Sequence, residues 1–311
     1  MDLGAGARAL MESSLALKEG EVVMILVDEA KMAMGQAFLE SCRDIGALAF
    51  MTVVNVPASS VEPPEPVASA MKDCDVVIMA TTHSLSHTKA RRQANRAGTR
   101  VISIPGITED MMSGGCLTAD CREMEEAISK AYKKLRKADT LRATTTQGTD
   151  LSLRVKGRAW ITEDAGLCRT RGAFATFPAG ELFVAPLEGM AEGTLMVDLF
   201  FHQFLSAPAT VTVREGYAVR VSGAQEAEAA MDAGGHEGRH LSRLGIGFNP
   251  EASLKSSALE ASKALGVLHV GFGDNTVLGG EVSCGVQVDA LVRAVSLETN
   301  GKLVLEKGRL V

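Results

Sequence analysis

Glu181 is the residue of this sequence with the clearest potential for chemistry. It lies in the stretch Phe177–Pro186, where it follows Gly180 and precedes a short apolar run. The residues after Glu181 are expected to form a short buried strand. A carboxylate at the start of such a strand suits a metal ligand or a general base, and a surface glutamate at a strand start is the alternative.

Three further groups of residues in the second half combine polar side chains with glycine-rich turns. They are the segment from His236 to Arg243, which includes His240; His269 within a short apolar strand; and the pair Gln287 and Asp289. Residues two apart on a strand face the same side, so Gln287 and Asp289 are expected to point together. Carboxylates and imidazoles from distant segments commonly form metal sites. The alternative is a buried core histidine, which a lone histidine in an apolar strand more often is.

Two loops of the first half also carry polar side chains. Thr81–Thr88, with His83 and His87, follows one apolar run, and Pro105–Asp110 follows the next. Ligands of open α/β sheets bind at the carboxyl ends of the strands. His87 is therefore a candidate site residue, and a solvated loop histidine is the alternative.

The elements that position these loops alternate along the first half. Apolar runs at 21–27, 47–54, 75–80 and 100–105 predict strands, and the intervening segments predict helices. This alternation predicts a parallel sheet with right-handed crossovers, a Rossmann-like α/β domain over residues 1–139. The first strand is followed by Asp28 instead of a G-x-G-x-x-G loop, so no dinucleotide site is predicted.

The second half changes pattern. Alternating residues around 141–155, strands near 194–201 and 208–214, and a closing hairpin with Asn300–Gly301 at its turn predict an α+β domain over residues 140–311. A helix is predicted over 252–265, and Gln287–Asp289 is expected to precede a strand at 290–295.

Composition limits the function classes. The chain has 311 residues, 46% hydrophobic content and a formal net charge of −6. Without a long basic tract, nucleic acid is not an expected partner. No apolar run approaches a membrane span, no signal peptide is recognised at the N-terminus, and the six cysteines show no zinc-finger or C-x-x-C spacing. We expect a cytoplasmic protein with reduced thiols and no membrane partner.

The chain resembles the aminopeptidase T type of metallopeptidase family, which also includes 2,5-dihydroxypyridine ring-cleaving dioxygenases. The similar segments follow one another along most of the chain: Ser84–Thr88, Ile104–Thr108, Phe177–Pro186, Arg243–Pro250, Leu268–Asn275 and Gln287–Asp289. The resemblance implies an aminopeptidase T-type C-terminal domain, a small-molecule or short-peptide substrate and a homo-oligomer.

The resemblance also implies a ligand set for two divalent metals, which this sequence keeps only in part. Glu181, His269 and Asp289 match family ligands. Arg243 stands where the peptidases have a second glutamate, and Gln287 stands where they have a histidine. A guanidinium cannot ligate a metal. His240 and Gln287 remain candidate substitute ligands, and any metal (Zn, Co, Mn or Fe) would be held by a reduced set.

Three functions follow from the resemblance. The main prediction is an aminopeptidase-like, metal-dependent hydrolase of the leucyl aminopeptidase kind, with Glu181, His87 and Arg243 as catalytic residues. The first alternative is an Fe(II)-dependent dioxygenase that cleaves a hydroxypyridine-like ring. The second is a metal-free family member that acts as a binding protein or as an enzyme without metal.

Overall fold

The computed structural model describes residues 2–311, apart from the side chain of Glu163. The helices are α1 (Leu3–Ala9), α2 (Met32–Asp44), α3 (Glu65–Lys72), α4 (Lys89–Ala97), α5 (Glu109–Met112), α6 (Cys121–Leu135), α7 (Gln225–Asp232) and α8 (Ala258–Lys263). The strands are β1 (Val22–Val27), β2 (Leu48–Val53), β3 (Val76–Ala80), β4 (Arg100–Ser103), β5 (Thr140–Thr144), β6 (Asp150–Arg154), β7 (Trp160–Asp164), β8 (Phe174–Thr176), β9 (Glu181–Val184), β10 (Ala191–Val197), β11 (Phe200–Phe201), β12 (Gln203–Phe204), β13 (Ala209–Arg214), β14 (Tyr217–Ser222), β15 (Leu241–Gly247), β16 (Leu268–Gly273), β17 (Gln287–Val292), β18 (Ser296–Thr299), β19 (Lys302–Glu306) and β20 (Arg309–Leu310).

Contacts divide the chain into two compact units. The first contains residues 1–125, 164–179 and 250–252, and the second contains residues 126–163, 180–249 and 253–311. The chain therefore passes between the units more than once. The predicted division at residue 139 stays a prediction.

The first unit is built on a five-stranded parallel sheet in the order β2-β1-β3-β4-β8. Successive residues of β1 point to opposite faces, so Val23 and Ile25 enter one apolar cluster with Phe38, while Met24 and Leu26 enter the other with Met71. Burial on both faces explains why β1 is a continuous apolar run. The predicted parallel sheet is present and gains a strand, β8, from beyond residue 139.

The second unit contains two antiparallel sheets. Eight strands follow the order β14-β13-β10-β6-β5-β18-β19-β20, and seven follow the order β12-β11-β17-β16-β15-β9-β7. The fold is thus mixed α/β with parallel and antiparallel sheets, and the finer Rossmann-like description remains a prediction. No helix within residues 2–311 combines the length and apolar character needed to cross a membrane.

Three predicted elements differ from the structure. The strand predicted near 194–201 is divided into β10 and β11, which belong to different sheets. The helix predicted over 252–265 is limited to α8, because Ser257 caps its N-terminus by accepting a hydrogen bond from the Glu260 amide at 3.1 Å. Gln287 and Asp289 lie within β17 and do not precede it. Their backbone groups pair with β16, where Gly273 and Gly271 are their partners.

Candidate functional site

Glu181 is the first residue of β9 and is completely buried. The alternative of a surface glutamate is therefore wrong. One carboxylate oxygen, Oε2, accepts a hydrogen bond from Lys263 Nζ at 2.6 Å, and the other, Oε1, lies 2.8 Å from His269 Nδ1. Both carboxylate oxygens thus have partners inside the second unit.

His269 also contacts Asp289 on β17. Its Nε2 lies 3.0 Å from Asp289 Oδ1, and Gln287 Nε2 donates to the same oxygen at 3.4 Å. An imidazole can donate from both nitrogens only when it is protonated. We call Glu181, Arg243, Lys263, His269 and Asp289 the charged cluster.

The charges of the cluster shift one another's pKa values. Burial alone would raise the pKa of Glu181, but Lys263 and His269 hold it well below its usual range. Burial alone would lower the pKa of His269, but the two carboxylates on its ring nitrogens raise it. The pKa of Asp289 is lowered by the hydrogen bond from His269 and by the charge of Arg243, against the effect of burial. Both carboxyl groups are therefore ionised at neutral pH.

The seven-stranded sheet brings these side chains to one face. Arg243 on β15 pairs with Gly271 on β16, and Gly271 in turn pairs with Asp289 on β17. Gly245 lies opposite His269. A Cβ atom added to Gly245 would lie 2.0 Å from Glu181 Oε1, so a glycine is required there to make room for the carboxylate.

Arg243 is a member of the cluster that has a buried nitrogen atom without a hydrogen-bond partner in the described part of the chain. Its guanidinium carbon lies 4.7 Å from the centroid of the Phe183 ring, a cation–π arrangement. Its Nε and the Oγ of the neighbouring Ser242 are buried and have no hydrogen-bond partner within the described residues. The register of β15 against β16 shifts between Leu241 and Arg243, at the position of these two side chains.

Two further predicted site residues have their described contacts with residues outside the charged cluster. His240 is buried, with Nδ1 3.5 Å from the Gly273 carbonyl oxygen and its ring against Tyr217. Burial lowers the pKa of His240. These contacts do not place it as a substitute ligand beside Glu181. His87 belongs to the first unit, is exposed, and accepts a hydrogen bond at its carbonyl oxygen from Arg92. Its catalytic role stays a prediction.

Lys263 is the site residue that the sequence did not reveal. It is the last residue of α8 and is 7% exposed, although lysine is seldom buried without a partner. A lysine between Ser262 and the apolar run from Ala264 to Val270 was the available signal. Periodicity alone assigns such a lysine to the solvent side of a helix.

Two cavities of the second unit have no member of the charged cluster among their lining residues. A cavity of about 630 Å³ is lined by residues of the eight-stranded sheet, including Arg142, Arg154 and Glu298. No member of the charged cluster lines it. We place the candidate site at the cluster because Glu181, His269 and Asp289 have shifted pKa values, and such shifts are common at functional sites.

The side chains present do not fit the metal that the resemblance implies. Lys263 already neutralises Glu181, and both nitrogens of His269 are directed at carboxylates. The charge of Arg243 acts on Glu181 and on Asp289. Within residues 2–311, excluding the side chain of Glu163, no three His, Cys, Asp or Glu side chains are grouped to hold a metal ion. A divalent cation would have to compete with two cationic side chains for the same carboxylates.

Comparisons with known proteins agree with this fold. A 2,5-dihydroxypyridine 5,6-dioxygenase of Pseudomonas putida KT2440 is 24% identical over 263 residues, which cover 78% of this chain and 72% of that protein. The solved structure of the 2,5-dihydroxypyridine dioxygenase from Pseudomonas putida KT2440 aligns with a TM-score of 0.75 at 21% identity, over 99% of this chain and 96% of that one. AmpT from Thermus thermophilus aligns with a TM-score of 0.64 at 15% identity, over 99% and 98%.

The main function predicted from the sequence is corrected by a family model. The model described as 2,5-dihydroxypyridine 5,6-dioxygenase (NicX) matches residues 7–311. It overturns the aminopeptidase-like hydrolase, since the likeness to AmpT is one of fold alone at 15% identity. The first alternative, a ring-cleaving dioxygenase, is the better supported one. The chain belongs to the 2,5-dihydroxypyridine 5,6-dioxygenase family.

Proposed function

We propose that this chain acts on a small hydroxypyridine-like ring and opens it with molecular oxygen, at the charged cluster of the second unit. The observation that carries this proposal is the family match over residues 7–311, which includes every residue of the cluster. The curated relative, which is named for this activity, supplies the substrate class.

The cluster offers two groups that suit such a ring. Asp289 is ionised, and its side chain is 35% exposed, so it can accept a hydrogen bond from a ring hydroxyl. Arg243 lies on the same face of the sheet as Asp289, two strands away, and its guanidinium can hold a ring oxygen that has lost its proton. Glu181, Lys263 and His269 are buried, and His269 Nε2 contacts Asp289 Oδ1 at 3.0 Å.

Oxygen consumption tests the proposal. Purified protein is mixed with 2,5-dihydroxypyridine in an oxygen electrode, with and without added Fe(II), and the ultraviolet absorbance of the ring is followed in parallel. We expect one oxygen molecule to be consumed for each ring that loses its absorbance. The Asp289→Asn variant should lack this activity. The Arg220→Gln variant, which changes an exposed residue of β14, should keep it. Folded protein that consumes no oxygen under either condition contradicts the proposal.

A second candidate is supported by the positive charges of Lys263 and Arg243. A family member whose carboxylates are neutralised by its own side chains can bind the ring without opening it. Calorimetric binding of 2,5-dihydroxypyridine under anaerobic conditions, combined with no oxygen uptake in air, would favour this candidate. Turnover would exclude it.

A further inference from the structure

The side-chain charges of the cluster favour binding of an anion over binding of a metal cation. Lys263 Nζ is 2.6 Å from Glu181. Arg243 pairs with Gly271, which in turn pairs with Asp289, so the guanidinium lies on the face of the sheet that carries both carboxylates. Even with His269 counted as neutral, the two carboxylates are balanced by two cations. A divalent metal ion would bring two further positive charges into a site that is already balanced, whereas an added anion would meet a guanidinium.

Two buried polar atoms in this region still lack partners. Arg243 Nε and Ser242 Oγ make no hydrogen bond within the described residues, and Ser242 is completely buried. Leaving buried donors unpaired is costly, so such atoms commonly mark a place where a ligand or water binds. Adjacent in sequence at the register shift of β15, they provide an N–H donor and an O–H donor.

We propose that the charged cluster binds an anionic pyridine-type ring through the Arg243 guanidinium and holds no divalent metal. A guanidinium presents its donors in a planar fork that matches a carboxylate or a pair of oxygen atoms on a ring. Phe183 lies against the guanidinium and restricts its orientation. This inference takes the location of the site and the ring class from the proposed function, but it does not require ring opening.

Ligand binding tests the first half of the proposal. Isothermal calorimetry at pH 7.5 compares nicotinate with nicotinamide, its neutral counterpart of nearly the same shape. We expect nicotinate to bind at least tenfold more tightly than nicotinamide. Arg243→Gln should abolish that preference, and Arg243→Lys should retain part of it, because lysine keeps the charge without the fork. Arg220→Gln, which removes an exposed arginine of the same unit, should match the wild type.

Metal analysis tests the second half. Protein incubated with excess Fe(II) under anaerobic conditions, or with Mn(II), Co(II) or Zn(II), is desalted and assayed for metal by mass spectrometry. We expect less than about a tenth of an equivalent per chain. About one equivalent of any of these metals, lost in Asp289→Asn, overturns the proposal. Equal binding of nicotinate and nicotinamide, no binding of nicotinate, or an unchanged preference in folded Arg243→Gln also overturns it.

The outcomes separate this inference from the proposed function. Nicotinate binding through Arg243 without metal and without oxygen uptake would support the inference and contradict the dioxygenase. One equivalent of Fe(II) with oxygen uptake would do the reverse. Circular dichroism and thermal unfolding of each variant establish that a lost signal does not come from a misfolded chain.

Discussion

Lys263 and Glu181 form an ion pair whose side chains are 9% and 1% exposed. Removing one partner of a buried pair leaves an uncompensated charge, which costs roughly 3–5 kcal/mol. We therefore expect Lys263→Met to lower the free energy of unfolding by about 3 kcal/mol in urea titrations. Arg142→Met, which breaks an exposed pair with Asp150, is the matched control and should change stability little. Equal stability of the two variants would contradict the role given to Lys263.

A second residue-scale prediction concerns Cys168, whose thiol is completely buried in the first unit. Burial raises its pKa to about 12, whereas the pKa of a thiol in the unfolded chain is ~8.5. Between these values the unfolded chain loses a proton that the folded chain keeps, so stability falls as pH rises. At pH 10 this one thiol should reduce stability by about 2 kcal/mol relative to pH 7.

The variant Cys168→Ala lacks this thiol, so its stability should fall less steeply from pH 8 to pH 10 than that of the wild type. Urea midpoints at each pH measure both slopes, and the loss that other groups cause is common to the two proteins. Parallel slopes would show that Cys168 does not titrate differently in the folded and unfolded chains.

At the scale of elements, the short helix α8 positions Lys263, its last residue, beside Glu181. The helix has six residues and begins at the Ser257 cap. Losing a serine cap costs about 1 kcal/mol, while asparagine caps as well as serine. We expect Ser257→Ala to lower the free energy of unfolding by about that amount and Ser257→Asn to restore it. If both variants lose the same stability in urea titrations, the cap is not what stabilises α8.

The three strands β9, β15 and β16 show why the contacts between predicted site residues could not be read from the sequence. Glu181 and His269 are predicted site residues because they match metal ligands of the family that the sequence resembles. Their contact depends on the pairing of β9 and β16 with β15, which places Gly247 opposite Glu181 and Gly245 opposite His269. Strand pairing between distant segments is set by the packing of the whole sheet and leaves no local periodicity to read.

At the scale of the whole molecule, the first unit is assembled from three separate segments of the chain, residues 1–125, 164–179 and 250–252. β8 completes the parallel sheet beside β4, and Cys168 and Phe177 belong to the same apolar core. We expect a fragment of residues 1–139 to lack cooperative thermal unfolding, because it lacks this strand and these core residues. Residues 1–125 joined to 164–179 by a glycine–serine linker should unfold cooperatively. The opposite result would support the predicted domain boundary at residue 139.

The sequence by itself determined the apolar strands, the alternation that makes a parallel sheet, and the family resemblance on which the dioxygenase alternative rested. Those features are local or lie in contiguous motifs, so they can be read along the chain. Only the tertiary structure decided what Glu181 contacts. Its two partners, Lys263 and His269, are 82 and 88 residues away. A buried carboxylate needs a nearby cation, and the fold supplies Lys263 from a distant segment, so this pairing could be seen only in the folded chain.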